Sequence, residues 1–384
     1  MSATTAPEAP PSRAQRLRRF LEQDPNNLSL VGDAAAAAFE EHDLAGARAL
    51  LERYEALAPL PPSLVNLRGL VAMGEDRFDD AATDFRRLID EGHDAPGLRF
   101  NLAWCLAIAG SHEAVLDLLD EAVIAAVPRA AALKVETLHH LGRLEEALAL
   151  AANLIALYPE DQPLMAALAV AALDEERPDL AAEYARKAGD TPEGLSTLGM
   201  LDLAGSDIDQ ALVRFDKALS VRPDDARSNL GKGLGLMAKG DLTAAAESLD
   251  RGAEGFGDHL GSWIAAGWAY FVQGDLATAR ARFELALALD DTFAETHGAL
   301  AVLDVMTGEM AGARRRIEVA LRLDRQCFSA ALAKSMLLAG EGDTAKAEKV
   351  REMALNTSVG PTGQTLAQAM VALSAGAARN RFKA

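Results

Sequence analysis

The stretch Leu260–Phe293, LGSWIAAGWAYFVQGDLATARARFELALALDDTF, decides the fold. In these 34 residues Trp263, Tyr270 and Phe283 stand at places 4, 11 and 24, with Gly267, Ala279 and Ala286 at places 8, 20 and 27. Two helices that cross closely need small residues opposite large ones, and this alternation supplies both. Gly274 suits the tight turn between the helices, and Asp275-Leu276 suits the opening of the second. A helix-turn-helix unit is the expected local structure.

The unit recurs along the chain. Place 20 reads Ala47, Ala81, Ala114, Ala147, Ala181, Ala211, Ala245, Ala279, Ala313 and Ala347, mostly at intervals of 34. Place 8 reads Ala35, Gly69, Ala103, Val135, Ala169, Gly199, Gly233, Gly267, Ala301 and Ser335. The pattern W-x2-A-G-x2-Y-x8-A-x3-F-x2-A resembles that of the tetratricopeptide-repeat family. The resemblance implies an all-α, right-handed superhelical solenoid of about ten repeats. Their expected bounds are 28–61, 62–95, 96–127, 128–161, 162–191, 192–225, 226–259, 260–293, 294–327 and 328–361.

The flanks read as caps, because the ends of a solenoid must close its core. Residues 1–12 have the composition of a disordered tail. Ser12 then suits the N-cap of a helix over Arg13–Gln23, with Leu17, Phe20 and Leu21 on one face. Its arginines, Arg13, Arg16, Arg18 and Arg19, are open to an acidic partner or surface. At the other end Leu366, Met370 and Leu373 give an amphipathic helix over 364–375, followed by a short basic tail with Arg379, Arg381 and Lys383.

Irregularities are also legible. Turn glycines stand at Gly110, Gly142, Gly240, Gly274, Gly308 and Gly342, whereas the fifth and sixth turns read Glu176-Arg177-Pro178 and Ser206-Asp207. The third repeat is short by two residues, which the alanine column attributes in part to a deletion at the turn Ser111-His112. The fifth is short by about four, so a kink is expected near residue 190. In the tenth, place 24 falls on Arg351.

A net charge of -19 argues against nucleic acid, whose phosphates call for a basic stripe. Cys105 and Cys327 form no disulfide framework and no metal-ligand spacing. Residues 1–12 lack an apolar signal core, and no run approaches the ~18–20 apolar residues of a membrane span. A soluble, cytoplasmic protein is the expectation, although a chain already cleaved of a signal would read the same.

The resemblance also implies that places 2, 5, 9, 12 and 13 of each repeat look into a concave groove. Those places hold Phe100, Trp104 and Ile108 in the third repeat, Val170 and Leu173 in the fifth, and Met200 and Leu203 in the sixth. The seventh contributes Leu230, Leu234 and Met237, the eighth Ile264, Trp268, Phe271 and Val272. Val302, Val305 and Met306 follow in the ninth and Leu332 and Met336 in the tenth. A helix apolar on both sides calls for a cover on both. The candidates are the superhelix itself, coiled tightly enough to cover its own interior, a foreign polypeptide, residues 364–375, or a second copy of the chain. An adaptor or chaperone-like protein gripping an apolar or amphipathic partner is the functional expectation. A structural subunit of a secretion, envelope-biogenesis or other assembly, in some cases homo-oligomeric, is the alternative.

One polar island interrupts the strip, with Arg129, Glu136, His139 and His140 at inward places of the fourth repeat. Glu136 and His139 form an E-x-x-H pair, which in di-metal bundles recurs twice with further carboxylates. Here it occurs once, so a polar anchor or a solvated patch is expected in place of a metal site. The family's Lys/Asn/Arg clamp for a terminal carboxylate does not match these places, since Lys134, Lys232 and Lys334 fall at place 7 among the packing residues. His42, His93, His112, His259 and His297 scatter through turns and repeat starts, and no phosphate loop follows a strand. No catalytic residue, cofactor or metal is expected.

Overall fold

The computed structural model describes residues 12–356. Every regular element among them is a helix. The first, α1 (Arg13–Gln23), has Ser12 at its N-cap, with the reciprocal Ser12–Gln15 capping box in place. Ten helix pairs follow. The first four comprise α2 (Leu28–Glu40) with α3 (Leu44–Leu57), α4 (Pro62–Gly74) with α5 (Phe78–Asp90), α6 (Pro96–Ile108) with the pieces α7 (His112–Leu118) and α8 (Glu121–Ala126), and α9 (Arg129–His140) with α10 (Leu144–Leu157). Then come α11 (Gln162–Asp174) with α12 (Pro178–Ala188), α13 (Pro192–Ala204) with α14 (Ile208–Val221), and α15 (Ala226–Lys239) with α16 (Leu242–Phe256). The last are α17 (Leu260–Gln273) with α18 (Leu276–Leu289), α19 (Ala294–Thr307) with α20 (Met310–Leu323), and α21 (Phe328–Gly340) with α22 (Thr344–Leu355). The chain divides into two compact units, Met1–Leu164 and Met165–Ala384.

The turn inside each pair is set by one left-handed residue. Gly110, Gly142, Gly240, Gly274, Gly308 and Gly342 have positive φ, and in the other four pairs His42, Asp76, Glu176 and Ser206 take the same conformation at φ 56–64°. Side chains adopt this region at a cost, through crowding of Cβ against the backbone. An aspartate often follows and caps the second helix, as Asp43, Asp207, Asp241, Asp275 and Asp343 do.

Packing within a pair follows a size rule. The place-8 glycines meet the side chain sixteen positions later. A Cβ on Gly69, Gly199 or Gly267 would lie 2.7, 2.6 or 2.3 Å from Cε1 of Phe85, Phe215 or Phe283, closer than real atoms allow. All three rings are fully buried. Where the first residue is larger the second is smaller: Ala35 goes with Leu51, Ala103 with Leu119, and Val135 with Ala151, all buried. Val135, the exception in the small-residue column, is thus compensated in the second helix. Interiors near crystal density favour such matching of sizes, although Gly233 faces Leu249 and not an aromatic ring.

The third pair corrects the register read from sequence. Ala114 is exposed, and it is Val115 that is fully buried at place 20. Val115 lies 34 residues after Ala81, so the turn at Ser111-His112 loses nothing. The shortening falls in the second helix, which breaks between α7 and α8, and Lys134 Nζ donates to the freed Leu119 carbonyl at 2.9 Å. In the fifth pair α12 is clipped to 11 residues and stops at Gly189, with φ 64°. The division between the compact units falls at Leu164–Met165.

The N-terminal helix covers the first pair, with Ala14 and Leu21 in the same buried cluster as Val31 and Leu51. Phe20 is 56% exposed and does not share that face. Two of the arginines are engaged by the neighbouring pair, Arg13 with Glu40 at 2.9 Å and Arg18 with Asp43 at 2.5 Å. Arg351 is exposed at place 24 of the last pair. Residues 364–375, read as a C-terminal cap, lie outside the described residues.

Candidate functional site

In the first unit, α6 carries Phe100, Trp104 and Ile108 at i, i+4 and i+8, one stripe of a helix. Phe100 and Trp104 are half-buried with ring centroids 6.1 Å apart, and Ile108 is 56% exposed. The guanidinium of Arg129, from α9, sits 4.8 Å from the centre of the Trp104 ring, a cation–π contact. The polar island is therefore continuous with the aromatic patch. Trp104, Ala107, Ile108, His112, Leu133, Glu136, Thr137 and His140 line a cavity of about 140 Å³.

His112 belongs to this site, although its place in a turn gave no sign of it in the sequence. Its ring stacks on His140 with centroids 4.8 Å apart and planes within 2°, and His139 meets His140 edge-on at 5.8 Å. Burial, then the charges of His112 and His139, hold His140 below the usual histidine range. His112 Nδ1 is buried without a hydrogen-bond partner. No group of three or more His, Cys, Asp or Glu among the described residues is arranged to hold a metal ion.

In the second unit the inward residues differ in fate. Val170, Leu173, Met200, Leu203, Leu230, Leu234, Met237, Trp268, Phe271 and Met336 are half-buried. Met306 and Val272 are exposed. Ile264, 9% exposed, and Val302, fully buried, offer no surface. Val302 is packed with Ile317 and Ala333 beneath Trp268, Phe271, Leu332 and Met336, so inward residues of three successive pairs cover one another there. Trp268 lies T-shaped on the internal Phe283 at 5.4 Å and on Phe271 at 5.2 Å. It is therefore both packing residue and surface, unlike Trp263, whose indole N–H donates to the Gly257 carbonyl at 2.7 Å. Arg227 on α15 reaches back to Asp174 at the end of α11 through two bonds of 2.9 and 2.7 Å, passing over the intervening pair.

The two other place-7 lysines turn outward, away from the packing column. Lys232 reaches out to Asp216 at 2.7 Å, and Lys334 is exposed. Among the described residues no helix is long and apolar enough to cross a membrane.

Stacked helix pairs keyed by small residues define a repeat protein of the helical interaction class. A tetratricopeptide-repeat family model matches residues 66–132, 136–194 and 196–259, and the chain belongs to that family. Tetratricopeptide repeats bind protein partners and are generally non-catalytic. A search of curated proteins finds no match. Among solved structures, a human IFIT1 dimer with PPP-AAAA is 14% identical, with a TM-score of 0.52 over 91% of this chain and 96% of its own. MamA from Desulfovibrio magneticus RS-1 is 21% identical, with a TM-score of 0.37 over 43% of this chain and 95% of its own. Pseudomonas aeruginosa pilF is 18% identical, with a TM-score of 0.44 over 53% and 94%. At these identities the likeness is one of fold.

Proposed function

We propose that the chain is a non-catalytic adaptor that binds a partner polypeptide, an apolar or amphipathic helix or peptide, along the face formed by its first helices. Its anchor is the Phe100, Trp104 and Ile108 patch of the first unit. The observation that carries this reading is an aromatic–aliphatic stripe beside an open cavity, with Ile108 more than half exposed at its edge. On this reading a partner helix would meet the stripe with residues at i, i+3 or i+4 and i+7. Each fully buried anchor contributes ~1.5–3 kcal/mol. The half-buried methionines Met200, Met237 and Met336 give the second unit's face tolerance for imperfect shapes. The PPP-AAAA of the IFIT1 structure does not carry over, because a charge of -19 repels phosphates.

The test uses a fluorescein-labelled, 18-residue amphipathic peptide of Leu and Gln and its fluorescence anisotropy. Wild-type protein is expected to bind it, and Trp104→Ala with Ile108→Glu to abolish binding at unchanged helicity. Failure of the wild type to bind, or equal binding by the variant, refutes the reading.

A second reading is a structural subunit that pairs with another copy. Val221, Leu289 and Leu323 are each 45–63% exposed at the same place of the second helices α14, α18 and α20, which favours it. Light scattering over a dilution series separates monomer from dimer.

A further inference from the structure

The cavity beside Trp104 has one wall that can change its charge. His112, the first residue of α7, and His140, the last of α9, stack with ring centroids 4.8 Å apart and planes within 2°. Both line the cavity of about 140 Å³, together with Trp104, Ile108 and Leu133. That volume is below the usual size of ligand pockets and suits a single anchor side chain.

Charged and titratable groups approach the stack from α7, α9 and the start of α10. On α9, His139 meets His140 edge-on at 5.8 Å, Glu136 lines the cavity, and Arg129 lies 4.8 Å from the centre of the Trp104 ring. On α7, Glu113 is met at 3.4 Å by Arg143, which precedes α10 and also holds Glu146 at 2.7 Å. α6 faces the cavity with Trp104, Ala107 and Ile108, none of which titrates. Burial opposes a proton on His140, and so do the charges of His112 and His139. An imidazolium donates from both ring nitrogens, and His112 Nδ1 is buried with no hydrogen-bond partner. Two charged rings stacked this closely would also repel. The stack is built for neutral rings. An apolar side chain in the cavity takes away the remaining water, so a proton costs more in the complex than in the free chain.

We propose that the His112–His140 stack makes capture of a partner at the Trp104 patch pH-dependent: the neutral stack admits an apolar anchor side chain, and a protonated stack releases it. Binding and protonation then oppose each other reciprocally. Each proton taken up on release weakens binding by about tenfold per pH unit. The free chain holds His140 below the ordinary value of 6.5, and the complex holds it lower still. Affinity is therefore full above about pH 6.5 and falls as pH drops through the free-chain value. The inference rests on the adaptor reading and adds to it the regulation of the same site.

The experiment uses the 18-residue Leu/Gln peptide with blocked ends and a rhodamine label, so that only the protein titrates. Anisotropy is expected to show binding at least tenfold weaker at about pH 5 than at about pH 7.5, with helicity at both as the folding control. His140→Gln and His112→Gln are each expected to flatten that profile, and the exposed His93→Gln to keep it. Proton NMR of the wild type gives a second readout that needs no variant: saturating peptide should lower the pH at which the His140 ring titrates. Affinity that does not change with pH overturns the switch and leaves the adaptor reading standing. So does a profile that both folded variants retain, or a His140 midpoint that peptide does not move. Absence of binding by the wild type at every pH overturns both.

Discussion

Replacing Gly267 by alanine tests the size rule most directly. The new Cβ would lie 2.3, 2.6 and 2.9 Å from Cε1, Cδ1 and Cζ of Phe283. That ring cannot simply swing away, because it is fully buried and Trp268 lies on it at 5.4 Å. Overpacking of this kind costs about 1–3 kcal/mol. Alanine is the better helix former by about 1 kcal/mol, which offsets part of the loss. A net destabilisation of up to about 2 kcal/mol is expected. Phe283→Leu alone should also destabilise, by removing ring contacts. Combined, the two recreate the Ala/Leu pairing seen at Ala35–Leu51 and Ala103–Leu119, and the double variant should be more stable than the sum of the single losses by ~1 kcal/mol or more. Urea unfolding of the full chain reads the cycle, with far-UV circular dichroism for the whole and fluorescence of Trp263 and Trp268 for the repeat itself. Gly97→Ala is the control: it lies near the start of α6, and a Cβ there meets nothing within 4 Å. A stabilising Gly267→Ala, or strictly additive single effects, would refute the account.

Other expectations concern turns, titration and the tryptophans. Ser206→Gly and Glu176→Gly should raise the urea midpoint by relieving positive φ, a gain of up to about 1 kcal/mol, and Gly274→Ala should lower it by about 1–2 kcal/mol. His140 is held below the ordinary histidine value by burial, so the unfolded chain binds its proton first. Stability should therefore fall as pH drops through about 6.5 toward the lowered value, a slope that His140→Gln removes from a melting-temperature profile. At lower pH the caps add a second decline. The side-chain bond from Arg18 depresses Asp43 and the backbone bond from Thr278 depresses Asp275, so their contribution is present above about pH 4 and lost below it, less steeply in Asp275→Asn. Trp263→Phe should cost about 1 kcal/mol through its bond to Gly257, and Trp268→Ala should lower the melting midpoint while Trp104→Ala leaves it nearly unchanged.

The helix pairs, their small-residue columns and the N-terminal cap were legible because period and size are local properties of the chain. Ser12 with Gln15 announces the start of α1 as clearly in letters as in geometry. The left-handed turns were only partly legible. Glycine advertises positive φ, but His42, Asp76, Glu176 and Ser206 reach it because the flanking helices impose it. Ala114 and Val115 are neighbours that both fit a small-residue column, and only the break after Leu118, which shifts the shortening downstream, identifies the buried one. Inward places were a weaker guide. Val302 is covered by side chains of the pairs before and after it, and place number alone does not report the size of such neighbours. The Trp104 site joins α6, α7 and α9, and the stacking of His112 on His140 spans 28 residues of sequence. No single-helix pattern records it.

The pairing of place 8 with the residue sixteen positions on also governs how this chain can be rearranged. Cutting inside a turn and splicing first helices onto foreign second helices would set Val135 against a ring such as Phe283, or leave Gly267 facing Ala151 across a hole. Cutting between pairs carries lock and key together. Shuffling, duplication and transplantation should therefore succeed in whole pairs and fail in halves. The heritable module of this protein is a matched couple of helices, with each copy free to choose its own sizes.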